Sequence, residues 1–103
     1  MTEKYILKYL PLFEYDLIAA RDYIAETLQN PAAAMRLVEE TEKAIQNRLH
    51  NPEAFPKYHS IKDRKQPYYT IHVKNYTVFY VVIGNVMEIR RFIYNKRDIQ
   101  ALI

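Results

Sequence analysis

The spacing of apolar residues changes character several times along this chain, and each change marks an element. Residues 4–10, KYILKYL, alternate loosely, with Tyr5, Leu7 and Tyr9 on one side, and predict a short strand. Pro11 suits the first turn of a helix. Behind it Phe13, Leu17, Ala20, Ile24 and Leu28 recur at helical intervals, predicting a helix to about Gln29. Asn30-Pro31 restarts the helical register, an N-cap residue followed by proline at the first position. Leu37, Val38, Thr41, Ala44, Ile45 and Leu49 then carry a second helix to about His50, where Asn51-Pro52 stops it. So short a link folds the two helices into an antiparallel hairpin.

Residues 52–66 hold two prolines and show no period, which predicts a loop. Tyr69, Ile71 and Val73 alternate with Thr70, His72 and Lys74, as in a half-buried strand. Lys74-Asn75 is a tight turn. YTVFYVVI (76–83) is almost wholly apolar and β-branched or aromatic, the pattern of a central strand covered on both faces. Gly84-Asn85 is a second turn. In the last strand, 86–94, Met87, Ile89 and Ile93 share one row that Arg91 interrupts, while Val86, Glu88, Arg90, Phe92 and Tyr94 point the other way. Residues 96–103 form a short helical or extended tail. The expected fold is α+β, in the order β-α-α-β-β-β. A helical hairpin packs on a largely antiparallel four-stranded sheet. The first strand is expected beside a strand of the meander, without the pattern saying which.

Composition narrows the class. One domain spanning 1–103 is expected at this length. With no cysteine there is no disulfide framework, which fits a cytoplasmic protein. No segment reads as a signal peptide or a membrane span, and a single glycine rules out glycine-rich phosphate loops. His50, His59 and His72 have no ligand spacing, so neither a metal nor a cofactor is expected. One serine outside any nucleophile elbow and no cysteine leave no covalent nucleophile. Glu39, Glu40 and Glu42 read as a solvated helix face.

Charge changes the picture most. Residues 1–55 carry six Lys or Arg against nine Asp or Glu, whereas 56–103 carry nine against three. Such segregation points to a basic face and an anionic partner, against the plainer alternative that the cations merely solvate a sheet. Lys62, Arg64 and Lys65 on the loop, with Arg90, Arg91, Lys96 and Arg97 near the end, are the candidate binding face. His72, Lys74, Tyr94, Lys96 and Arg97 are candidates for metal-free cleavage of an RNA backbone, which needs a proton acceptor, a proton donor and cations. Tyr58, Tyr68, Tyr69 and Tyr94 flank the cations and suit base stacking or phosphate contacts, while Tyr5, Tyr9, Tyr76 and Tyr80 are explained by packing.

The element order, the restart NPAAAMRLVEETEKAIQNRL followed by NPEAFP, the segment VKNYTVFYVV and the closing EIRRFIYNKRD together resemble the RelE/ParE toxins of bacterial type II toxin–antitoxin modules. The resemblance covers nearly the whole chain. It implies a growth inhibitor encoded beside a small antitoxin that wraps it with an acidic helical segment. RelE-type members cut mRNA on the ribosome, and ParE-type members poison DNA gyrase. Basic positions of the RelE type correspond here to Thr70 and His72, and an arginine to Thr77. Arg97 matches a basic residue after the last strand, but no tyrosine follows it. These departures and the ending IYNKRDIQALI favour the ParE type. The alternatives are a variant ribosome-dependent mRNA endonuclease and a relative that only binds its antitoxin.

Overall fold

In the computed structural model, residues 4–58 and 65–103 are described. Strand β1 (Ile6–Tyr9) leads through Pro11 into helix α1 (Pro11–Asp22), a π-helical turn (Tyr23–Thr27) and helix α2 (Pro31–Arg48). Strands β2 (Tyr69–Val73), β3 (Tyr76–Ile83) and β4 (Val86–Tyr94) follow, then a single helical turn, α3 (Ile99–Leu102). The sheet order is β1-β4-β3-β2, with β1 parallel to β4 and the meander antiparallel. The neighbour of β1 is therefore the last strand of the chain.

The hairpin tip shows why the helical spacing does not run true to Gln29. The Leu28 N–H reaches the Tyr23 carbonyl at 3.1 Å, one residue further back than an α-helix allows. A π turn advances less per residue, so Leu28 rotates off the buried stripe and stands 55% exposed. Gln29 closes the turn in the left-handed region, φ 52°. Asn30 then caps α2, its Oδ1 accepting the Ala33 N–H at 3.2 Å.

Two apolar clusters sandwich the sheet. Phe13, Leu37 and Ile45 of the hairpin meet Ile71, Val78, Tyr80, Met87 and Phe92 on one face. Tyr68, Phe79, Val81 and Ile93 meet Ile103 on the other, with Tyr58, Ile99 and Leu102 packed against them. A central β3 covered on both sides is what its unbroken apolar run requires.

The alternation expected of β4 breaks in its middle. Phe79 pairs with Arg91 while Tyr80 pairs with Ile89, leaving Arg90 as the extra residue of a β-bulge. Met87 and Ile89 face the hairpin, and past the bulge so do Phe92 and Tyr94, whereas Ile93 turns to the tail side. The row that Arg91 interrupts is thus two half-rows on opposite faces.

Candidate functional site

The cations expected to meet at one place are divided by this architecture. Lys62 and Arg64 lie outside the described residues. Lys65 precedes β2, away from the turn that ends β4. Arg90 lies at the bulge, where its Nε donates to Glu88 at 2.8 Å, and Lys8 Nζ is 3.7 Å from the same carboxylate. Burial works against the charge of Arg90, but its hydrogen bonds to Glu88 and Tyr68 outweigh it and raise the guanidinium pKa. Arg91 is held more tightly still. Its Nε and Nη2 donate to Asp16 at 2.8 and 3.3 Å, and its Nη1 to the Leu102 carbonyl at 3.0 Å. Asp16 also accepts the Phe92 N–H at 3.1 Å, satisfying the β4 edge beyond the point where β1 ends.

What does assemble is the tip formed by two turns. Asn95 N–H donates to the Asn75 carbonyl at 2.8 Å and Arg97 N–H to the Tyr94 carbonyl at 3.0 Å. This places Lys74, Lys96 and Arg97 at one end of the sheet. Lys74, in the left-handed region at φ 53°, swings toward α2 and pairs with Glu40 at 3.3 Å. Lys96 and Arg97 are exposed and have no ion-pair partner among the described residues.

Beside them runs a groove of about 580 Å³ between α1 and the free end of β4. Tyr76, Phe92 and Tyr94 form one wall, Tyr15 and Tyr23 the other, and Arg97 stands among its lining residues. Tyr76 stacks on Phe92 at 4.7 Å between centroids and leans on Tyr94 at 5.3 Å. Burial, with smaller contributions from Tyr94 and Tyr23, pushes the Tyr76 phenol pKa upward, so it stays a neutral hydrogen-bonding group there.

The residues considered for RNA cleavage fall on two sides. Tyr94 and Arg97 share the groove on the hairpin side. His72 lies on the opposite face, its Nδ1 3.1 Å from the Thr77 hydroxyl. That hydroxyl donates to Asn95 Oδ1 at 2.6 Å, so it accepts from His72, which fixes the Nδ1–H tautomer. Thr77 stands where the nuclease type places an arginine, and it is occupied in holding a turn. Among the described residues no group of three His, Cys, Asp or Glu has metal-binding geometry.

Sequence reasoning overlooked Asp16, whose partner is 75 positions away, and the second groove wall, Tyr15 and Tyr23. It also overlooked Arg48. This cation donates to the Thr70 carbonyl (3.0 Å) and the Tyr80 hydroxyl (2.9 Å), with Phe55 stacked 3.5 Å away. A lone basic residue in the last turn of α2 was the only local signal.

The family model of the ParE toxin of the type II toxin–antitoxin system parDE matches residues 7–99. No curated protein matches the chain in sequence. Among solved structures it is similar to one described as the chromosomal ParDE TA system from P. aeruginosa. The TM-score is 0.73 at 18% identity, over 88% of this chain and 96% of that one, a likeness of fold. With nearly its whole length matched and the sheet and hairpin laid out as described, the chain belongs to the ParE toxin family, the toxin half of a type II toxin–antitoxin module whose other half is a cognate antitoxin.

Proposed function

We propose that this toxin stops growth by binding DNA gyrase on DNA, in the cytoplasm, and performs no RNA cleavage. The observation that carries the reading is the separation of the candidate cleavage groups. His72 faces away from Tyr94 and Arg97, and Thr77 is committed to His72 and Asn95. Proton transfer and charge stabilisation at one phosphate require those groups within hydrogen-bonding reach of it. The two exposed cations beside an aromatic groove suit gripping instead. Lys96 and Arg97 meet phosphates or carboxylates, and Tyr94, Tyr76 and Tyr23 supply apolar contact. In the resting module an acidic helical segment of the antitoxin covers the same cations.

Purified toxin incubated with gyrase and supercoiled plasmid tests this. Trapped cleavage complexes are expected with the wild-type chain, falling at least about tenfold in the Lys96→Ala, Arg97→Ala double variant, in line with two lost charge-assisted contacts. Cleavage of ribosome-bound mRNA with no effect on gyrase would overturn the proposal.

A further inference from the structure

Strand β3 buries a hydroxyl in a run that is otherwise apolar. Within YTVFYVVI, Thr77 is 2% exposed. Valine has nearly the same shape and no polar atom to take out of water, so for cohesion of the sheet alone it serves as well or better. The Thr77 hydroxyl is bonded on both sides. His72 Nδ1–H donates to it at 3.1 Å, and it donates to Asn95 Oδ1 at 2.6 Å.

The second of these bonds leads to the turn that carries the two exposed cations. Residues 94–97 form a four-residue turn, closed by the Arg97 N–H on the Tyr94 carbonyl at 3.0 Å, with Lys96 third and Arg97 fourth. Asn95, in second place, is held at two points. Its N–H donates to the Asn75 carbonyl at 2.8 Å, and its side chain accepts from Thr77. One point alone would let the turn pivot, whereas two fix its plane. In that plane Arg97 stands at the groove beside Tyr76 and Tyr94, and Lys96 stays in solvent. Long cationic side chains on a loose turn lose freedom when they bind, and a preset turn lowers that cost.

We propose that Thr77 is a positioning residue for target binding: braced by His72 and acting through Asn95, its hydroxyl presets the turn that presents Lys96 and Arg97. This assignment rests on the gripping role given to those cations above and adds how they are held ready. It gives His72 and Thr77 a task that needs no contact with the target.

Three variants of the full chain test it, each checked for fold by circular dichroism. Thr77→Val removes the hydroxyl at nearly constant shape, and Thr77→Ser keeps it. Asn95→Ala removes the acceptor at an exposed position, where folding is not at stake. Each is made alone and in the Lys96→Ala, Arg97→Ala background. The readout is the toxin concentration that gives half-maximal trapping of gyrase cleavage complexes on supercoiled plasmid. Thr77→Val and Asn95→Ala are each expected to raise it about fivefold, and Thr77→Ser to stay within about twofold of wild type. Once both cations are gone, Thr77→Val and Asn95→Ala are expected to change nothing further. Wild-type trapping by Thr77→Val and Asn95→Ala overturns this assignment alone. So does a Thr77→Ser chain as weak as Thr77→Val, or a loss that persists in full without the cations, which marks a merely structural role. If the wild-type chain traps no complexes, or the Lys96→Ala, Arg97→Ala chain traps them as well as wild type, the preceding proposal fails and takes this one with it.

Discussion

Single side chains decide more here than their number suggests. Asp16 accepts from Arg91 and from the Phe92 N–H, so one carboxylate ties α1 to the edge of β4, and Arg91 passes the tie on to the tail at Leu102. Both partners are largely buried, with side chains 11% and 16% exposed. Removing the carboxylate strands a guanidinium and an edge amide together. Asp16→Ala is therefore expected to lower unfolding free energy by about 2–3 kcal/mol, read from urea denaturation. Tyr80 is a second such point. It is fully buried, receives the Arg48 guanidinium and donates to the Pro52 carbonyl at 2.7 Å. Tyr80→Phe is expected to cost about 1–3 kcal/mol by leaving both partners unsatisfied. Burial pushes the Tyr80 phenol pKa above its ordinary 10.0, partly opposed by Arg48, and burial raises Tyr9, Tyr69 and Tyr76 likewise. The folded chain thus holds these protons more tightly than the unfolded one. Their stabilisation is complete below about pH 10 and is lost as pH rises through the folded values. Urea midpoints should fall as pH rises above about 10, less steeply in Tyr80→Phe.

At the scale of elements, legibility follows locality. The helical hairpin, the restart at Asn30-Pro31 and the three meander strands were all readable, because each is set by periodicity and punctuation within a few residues. The Asn30 cap is one such local device, and Asn30→Ala should lower the thermal midpoint by an amount equivalent to about 1 kcal/mol. Features created by contact between distant segments were not readable. The π turn that turns Leu28 outward has no helix-breaking residue to announce it. The bulge at Arg90 sits inside EIRRFI, where alternation alone assigns Phe92 and Ile93 the wrong faces. The pairing of Arg91 with Asp16 likewise took a candidate binding cation out of circulation. The candidate site was legible only in its exposed part, Lys96 and Arg97 with Tyr94, because an unpaired cation in a turn needs no tertiary contact to be noticed.

Across the molecule, charge and cover are distributed in a way that suits a toxin with an inhibitor and a target. The hairpin is acidic on its solvent side, and the tip at Lys96 and Arg97 is basic. Antitoxin binding through that tip should weaken as salt rises, and the Lys96→Ala, Arg97→Ala variant should show a flatter dependence of log affinity on log salt in titration. No helix among the described residues is long and apolar enough to cross a membrane. The single extra residue at Arg90 acts like a half-step in the phase of the last strand. Without it, everything beyond would present its other side. Tyr94 would leave the groove and Ile93 would point at the hairpin. A one-residue deletion there should scramble the end of the sheet that carries Lys96 and Arg97 without shortening any loop, so the chain tolerates changes of length least where it looks most regular.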